Sequence, residues 1–133
     1  MTKELNRRNF IKGTAAVSAI TILSPMTVFG TRANSAIRMG IIGTGGRGMS
    51  VIGTMSSNNN IHIAAAADIF ADKLTAGVKD LNSMNQAKGF PELSKSNQFV
   101  GSKAYLRLLE SKDIDAVLIS SPAYTHAEFL EAA

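Results

Sequence analysis

Apolar residues recur along the chain in two alternating patterns, one typical of buried strands and the other of helices. Residues 37–43 (IRMGIIG) and 61–68 (IHIAAAAD) are nearly continuous apolar runs, as is typical of strands buried on both faces of a sheet. Between them, four residues have the i, i+3, i+4, i+7 spacing of one apolar helix face: Gly48, Val51, Ile52 and Met55. A strand, a helix and a second strand are therefore predicted here.

The alternation continues from residue 74 onward. A second helix face follows over 74–81, and the polar run 82–98, which contains glycine and proline, predicts the end of that helix and a surface loop. Short strands are predicted at 98–101 and 115–120, each followed by a helix face: Tyr105, Leu108 and Leu109 after the first, and Phe129, Leu130 and Ala133 after the second. Strands that alternate with helices predict an α/β fold, a doubly wound parallel sheet with right-handed crossovers.

The first predicted strand runs into a glycine-rich turn, GTGGRG, in which Gly43, Gly45 and Gly48 have the spacing G-x-G-x-x-G. At a turn from strand to helix, these positions allow a tight bend, the close approach of a ligand's pyrophosphate, and close packing of helix on strand, respectively. Gly46 and Arg47 begin the helix, where unpaired N–H groups and a partial positive charge attract phosphate. Arg47 is interpreted either as a pyrophosphate contact or as a solvated surface arginine.

An acidic residue, Asp68, ends the second predicted strand, about 20 residues beyond Gly48. A carboxylate in this place accepts hydrogen bonds from the adenosine ribose hydroxyls and repels a 2′-phosphate. The sequence thus predicts that the turn binds a dinucleotide, NAD rather than NADP. The alternative is purely structural: a glycine turn, and an Asp68 side chain that caps the next helix.

Composition excludes several kinds of chemistry. The 133 residues suffice for one modest domain and contain no cysteine, which rules out disulfides, thiolate nucleophiles and cysteine metal sites; no metal site is predicted. The formal net charge of +4 lies in residues 1–36, whereas the charges from Ile37 onward cancel. A neutral folded part with few aromatic residues predicts no nucleic-acid-binding surface.

The basic N-terminus has the layout of a secretory signal. Arg7 and Arg8 precede a weakly apolar run over 13–23, and small residues follow near a cleavage site. Residues 6–12 (NRRNFIK) resemble the twin-arginine export motif S/T-R-R-x-F-L-K, departing at the first position and, conservatively, at Ile11.

This resemblance implies that residues 1–35 are a twin-arginine signal peptide and that the protein is exported, as a periplasmic protein for example, by the twin-arginine machinery. The apolar run is too short and too rich in small polar residues for stable membrane insertion. An amphipathic N-terminal helix and an uncleaved anchor are the alternatives. Cleavage after Gly30 and cleavage near Ser35 or Ala36 both fit the sequence.

A second motif lies at the fourth predicted strand. Residues 114–117 (IDAV), then Ser121 and Pro122, then His126 resemble a segment of the Gfo/Idh/MocA family, named for glucose-fructose oxidoreductase and inositol 2-dehydrogenase; with the glycine turn, the resemblance covers about 37–133. Ser121 stands where the family usually has threonine. The resemblance implies a Rossmann fold in which Ser121 and Pro122 line the cofactor cleft near the nicotinamide ribose.

His126 has two interpretations. Thr125 and Glu128 fit a capping box, so Thr125 is predicted to cap the last helix and His126 to lie in its first turn. On the helix face shared with Phe129, His126 is interpreted as a residue that lines and positions the cofactor cleft, with general acid–base catalysis as the alternative. His62, between two isoleucines at a strand start, is interpreted as structural.

The family resemblance also implies parts that these 133 residues do not contain: a Glu-Lys-Pro segment with a catalytic lysine, and a second domain. Residues 36–133 are therefore expected to be an incomplete N-terminal dinucleotide-binding domain of a longer, homo-oligomeric enzyme, and no catalytic residue is assigned. The expected activity is hydride transfer between a sugar or cyclitol hydroxyl and a tightly held, recycled nicotinamide cofactor. The alternatives are an NAD-dependent glycosidase of the same superfamily and a non-catalytic dinucleotide-binding module.

Overall fold

The computed structural model describes residues 35–133, so residues 1–34 of the predicted signal peptide lie outside the described part. Four parallel strands form one sheet, and helices alternate with them. In chain order the elements are β1 (Ile37–Ile42), α1 (Gly46–Asn58), β2 (Ile61–Asp68), α2 (Ala71–Ala87), β3 (Gln98–Val100), α3 (Ala104–Leu109), β4 (Ala116–Ile119) and α4 (His126–Ala132), with 3₁₀ turns at Lys95–Asn97 and Ala123–Thr125. Within residues 35–133, no helix combines the length and the apolar character needed to cross a membrane.

The strand order across the sheet is β3-β2-β1-β4. The chain moves outward from β1 through β2 to β3 and then returns past β1 to form β4 on its other side. Such a reversal leaves a crevice outside the carboxyl ends of the strands, where open α/β sheets bind ligands. The predicted doubly wound parallel sheet is confirmed, including the short third strand at Gln98–Val100.

The helices cover both faces of the sheet because successive strand residues point to opposite faces. Ile41 belongs to a core with Ile52 of α1 and Leu81 of α2, whereas Ile42 belongs to a core with Leu108 of α3. All five side chains are buried, and burying an aliphatic side chain of this size contributes roughly 1.5–3 kcal/mol. Each face of the sheet therefore has its own core.

β2 contains an irregularity that its apolar run does not reveal. Met39 pairs with Ile63, but the next residue, Gly40, pairs with Ala65, so Ala64 is an extra residue in β2. The extra residue changes the phase of the alternation: Ile63 belongs to the core under α1 and α2, whereas Ala65 belongs to the core under α3. The odd-numbered residues of β2 thus face one core before Ala64 and the other core after it.

The prediction for residues 82–98 is corrected in part. The predicted end of the helix is confirmed, since α2 ends at Ala87, but Phe90 and Leu93 of the following loop are buried rather than on the surface. The buried Asn85 side chain ties the loop to β2, since its Nδ2 donates to the carbonyl of Pro91 at 3.1 Å and to that of Ile63 at 2.8 Å, while its Oδ1 accepts from the N–H of Ile63 at 3.0 Å. β3 pairs only with the last three residues of β2, so Asn85 satisfies backbone groups that would otherwise lack partners.

In α1 and α4, the buried face is narrower than the spacing of their apolar residues predicted. In α1, Val51 is 36% exposed although it neighbours the buried Ile52. In α4, Leu130 is 71% exposed, whereas Phe129 is 6% exposed. Each helix packs along a narrow line of residues, so the neighbours of that line point away from the sheet.

Candidate functional site

A cavity of about 300 Å³ opens at the carboxyl ends of β1, β2 and β4. Five of the predicted site residues line it: Gly43, Gly45, Asp68, Ser121 and Pro122. The other four are not wall residues within the described part of the chain: Gly46, Arg47, Gly48 and His126. The structure therefore brings together three strand ends that the sequence predicted separately.

Gly43 and Gly48 are required by the backbone of the turn from β1 to α1. Gly43 has a φ of +96°, and a Cβ there would lie 2.5 Å from the carbonyl oxygen of Ser120. A Cβ at Gly48 would collide with the carbonyl oxygen of Gly43 and would lie 3.1 Å from the Cβ of Ser120. These are the tight bend and the close packing of helix on strand that the glycine spacing predicted.

Gly45 faces open space at the start of α1. A Cβ there would have no atom within 4 Å, and no side chain caps the helix. The first turn contains no acidic residue, and its N–H groups have no partners within the helix. A diphosphate fits this place because the N–H groups and the helix dipole attract anions and the glycine backbone is accessible. Gly46 and Arg47 are exposed in the same turn, in accord with both interpretations of Arg47.

Asp68 ends β2, and its carboxylate joins three segments beside the cavity. Oδ2 accepts hydrogen bonds from the N–H and the hydroxyl of Thr44, at 2.8 and 2.9 Å, and Oδ1 accepts one from the N–H of Phe70 at 2.9 Å. The side chain thus orders the glycine turn and the entry to α2. Because a carboxylate has about four acceptor positions, Asp68 retains capacity for a hydroxyl donor from the cavity that it lines.

The segment after β4 is held by side-chain hydrogen bonds. Thr125 Oγ1 lies 2.6 Å from Oγ of Ser121 and 2.8 Å from the carbonyl oxygen of Pro122. His126 Nε2 lies 2.7 Å from the carbonyl oxygen of Ser121, and since a carbonyl only accepts, this nitrogen is the donor. The two side chains therefore hold the turn of Ser121 and Pro122 in the cavity wall.

The predicted capping box at Thr125 is wrong. Thr125 precedes α4 but makes no side-chain capping bond, because it has φ of −95° and ψ of −11° at the end of a 3₁₀ turn, not the extended backbone of a capping residue. Glu128 instead accepts a hydrogen bond from the Tyr105 hydroxyl at 2.6 Å, which raises the pKa of that hydroxyl. His126 lies in the first turn of α4, as predicted, and is exposed.

His62 packs within the fold rather than in the cavity wall. Its half-buried ring stacks on Phe90 with the ring centroids 5.2 Å apart, and burial lowers its pKa. Among residues 35–133, no group of three or more histidine or acidic side chains is arranged to hold a metal ion.

Several wall residues are not predicted by the sequence patterns: Ile69, Phe70, Lys73, Ser102, Tyr105 and Phe129. Tyr105 and Phe129 are both buried and stack with centroids 4.1 Å apart, forming an apolar side of the cavity. Ile69 and Phe70 are more than half exposed. Ile69, Phe70 and Lys73 all lie within five residues of Asp68, so their closeness to it in the sequence could have indicated them. The other wall residues come from distant segments.

A sequence profile of the Gfo/Idh/MocA oxidoreductase family, described by its NAD-binding Rossmann fold, matches residues 37–133. The chain belongs to this family. The match runs from β1 through α4 and contains both motifs on which the resemblance rests. A profile of the twin-arginine translocation signal matches residues 4–24, so the protein is exported by the twin-arginine pathway.

Curated relatives of this family member match most of the chain. A glycosyl hydrolase family 109 protein of Stenotrophomonas maltophilia is 33% identical over 129 residues, which are 97% of this chain and 27% of the relative. Proteins of the same name from Solibacter usitatus and Shewanella pealeana are 32% and 31% identical, over 75% and 93% of this chain and 22% and 30% of their own length. The chain thus spans less than a third of the length of these relatives.

Proposed function

We propose that the cavity binds a nicotinamide dinucleotide, NAD in preference to NADP. One observation carries the proposal: the anion-attracting start of α1, open at Gly45, and the carboxylate of Asp68 border a single cavity. The first suits the pyrophosphate of the cofactor and the second its adenosine ribose. Ser121 and Pro122 form the wall for the nicotinamide ribose, and His126 acts on that wall through the Ser121 carbonyl.

The complete protein uses this cofactor on a carbohydrate. The family is one of oxidoreductases, which supports hydride transfer between the cofactor and a sugar or cyclitol hydroxyl. The relatives are named glycosyl hydrolases, which supports a second reaction, in which hydride is removed and returned within one cycle of glycoside cleavage. No catalytic residue is assigned among residues 35–133.

Export favours a reaction that returns the cofactor to its starting oxidation state. The twin-arginine pathway carries folded proteins, so a cofactor bound in the cytoplasm can be exported with the protein. Outside the cytoplasm, an enzyme that released reduced nicotinamide could not readily recover NAD. The cofactor is therefore tightly held and recycled, either by coupled oxidation and reduction of two sugars or by redox-neutral glycoside cleavage.

Mass spectrometry of the denatured full-length protein, purified from the exported fraction, tests this proposal. We expect bound nicotinamide dinucleotide and turnover without added NAD. Sugar release from a glycoside without net formation of reduced nicotinamide identifies the glycosidase, and net reduction of added NAD identifies a simple dehydrogenase. No bound dinucleotide, together with strict dependence on added NAD, would overturn cofactor retention.

The Asp68→Ala variant tests the cofactor preference. We expect NAD affinity to fall by ~1–3 kcal/mol, because the ribose hydroxyls lose a charged hydrogen-bond acceptor, and relative tolerance for NADP to rise. Asp72→Ala, at an exposed position in the first turn of α2, is the matched control. Isothermal titration calorimetry measures both dissociation constants, and unchanged values for Asp68→Ala would show that Asp68 is only structural.

A further inference from the structure

We infer that Thr44, between the first two glycines of the motif, is a positioning residue that orients the Asp68 carboxylate and thereby sharpens discrimination between NAD and NADP. The inference rests on the proposed function of the cavity. It concerns a side chain that faces away from solvent, since Thr44 is only 5% exposed and is not a wall residue of the cavity.

Thr44 contacts Asp68 twice through the same carboxylate oxygen. Its N–H lies 2.8 Å and its hydroxyl oxygen 2.9 Å from Oδ2 of Asp68. The N–H bond comes with the backbone of the turn and is available to any residue except proline. The hydroxyl bond requires serine or threonine at this position, so it is the part of the contact that the side chain determines.

The packing of α2 fixes the Thr44 side chain. A Cβ added at Gly77 of α2 would lie 2.6 Å from the Cβ of Thr44 and 3.2 Å from both its Cγ2 and its Oγ1. The missing side chain at Gly77 thus leaves the space that Thr44 occupies. Since the threonine is confined there, its hydroxyl is held toward Asp68 instead of turning between several partners.

Both oxygens of the Asp68 carboxylate are held by hydrogen-bond donors. Thr44 holds Oδ2 by two donors, and the N–H of Phe70 holds Oδ1 at 2.9 Å. The Thr44 hydroxyl is the third of these donors, and it raises the cost of turning the carboxylate away from the negative 2′-phosphate of NADP, so the repulsion of NADP is retained more fully. Without the hydroxyl, two backbone donors remain, and the carboxylate can turn more easily.

Two substitutions at Thr44 and one control separate the hydroxyl from the shape of the side chain. Thr44→Val keeps the branched shape and removes the hydroxyl, whereas Thr44→Ser keeps the hydroxyl. Thr54→Val makes the same chemical change in α1, where the Thr54 hydroxyl bonds only the Ser50 carbonyl of its own helix, at 3.1 Å. Titration calorimetry of each full-length variant, freed of bound cofactor, gives dissociation constants for NAD and NADP.

We expect the NADP-to-NAD ratio of dissociation constants to fall roughly three- to tenfold in Thr44→Val, with the wild-type ratio in Thr44→Ser and Thr54→Val. If Thr44→Val does not fold, Thr44→Ala supplies the same comparison. A lower melting temperature with an unchanged ratio would overturn the inference, because it would make Thr44 only structural. If the ratio is unchanged while the wild type binds NAD and Asp68→Ala binds it weakly, only the inference about Thr44 fails and the proposed function stands. If the wild type binds neither dinucleotide, the inference and the proposed function both fail.

Discussion

The two sides of the cavity are built in different ways. On one side, the turn from β1 to α1 is ordered by the Asp68 carboxylate but also has backbone requirements that only glycine meets, namely the positive φ of Gly43 and the close approach of Gly48 to the Gly43 carbonyl. On the other side, the segment from β4 to α4 contains no residue with positive φ. Hydrogen bonds from Thr125 and His126 hold this segment instead.

The difference explains why steric requirements alone predict the first side, whereas the residues of the second side are indicated only by the resemblance to a known family. Only glycine fits the backbone at positions 43 and 48, so this requirement is visible in the sequence as a fixed spacing of glycines. A hydrogen bond to a carbonyl can be made by several side chain types from several positions. The two sides should therefore respond differently to substitution. A side chain added at a glycine of the first side should displace the backbone, whereas a substitution on the second side should remove individual hydrogen bonds.

The largest effect is expected for Gly48→Ala. The added methyl group meets the backbone of Gly43, so we expect the free energy of unfolding to fall by about 2–3 kcal/mol and dinucleotide binding to be lost. Gly53→Ala in the same helix is the matched control, since its Cβ would lie 3.4 Å from the flexible end of Met84 and alanine favours a helix by up to about 1 kcal/mol. Chemical denaturation measures both; equal unfolding free energies would break the comparison.

A smaller loss is expected for Thr125→Val on the other side. The substitution keeps the shape but removes the hydroxyl from Ser121 and Pro122, which should lower the free energy of unfolding by about 1 kcal/mol. Thr125→Ser keeps the hydroxyl and should remain within about 0.5 kcal/mol of the wild type. If Thr125→Val were as damaging as Gly48→Ala in the same denaturation experiment, the two sides would not differ in kind.

The smallest effect concerns the start of β4, where Arg38 and Asp115 form an exposed ion pair at 2.7 Å. Hydrogen bonds from the guanidinium and the backbone N–H of Arg38, together with the charge of the guanidinium, lower the pKa of the Asp115 carboxyl from its ordinary 3.8 to about 2. Such a carboxyl stabilises the fold above the pKa of the unfolded chain, and the contribution is lost as the pH falls through the folded pKa.

Chemical denaturation of the wild type and of Asp115→Asn over a range of pH tests the contribution of this ion pair to stability. The difference in unfolding free energy should be constant above pH ~5 and should shrink as the pH falls toward the folded pKa. It should also decrease with added salt, because the pair is exposed. A difference that is independent of pH would contradict the ion pair as its source.

The sequence by itself determined the fold class, the export signal and the first side of the cavity. Strands covered on both faces must be apolar along their length, and helices on a sheet must repeat their apolar residues every three to four positions. Both requirements are local, as is the need for glycine at Gly43 and Gly48. The position of Asp68 is also predicted by this local pattern, because it is the last residue of the strand that follows the first helix.

Only the tertiary structure decided how distant segments meet. The Thr44 hydroxyl on Asp68, the Asn85 amide on the edge of β2, and the stack of Tyr105 on Phe129 join residues whose types would serve equally well elsewhere. β2 gives the physical reason most plainly. Its four consecutive alanines are apolar in either register, so the pattern is unchanged by a shift of one residue, and only pairing with β1 places the extra residue at Ala64.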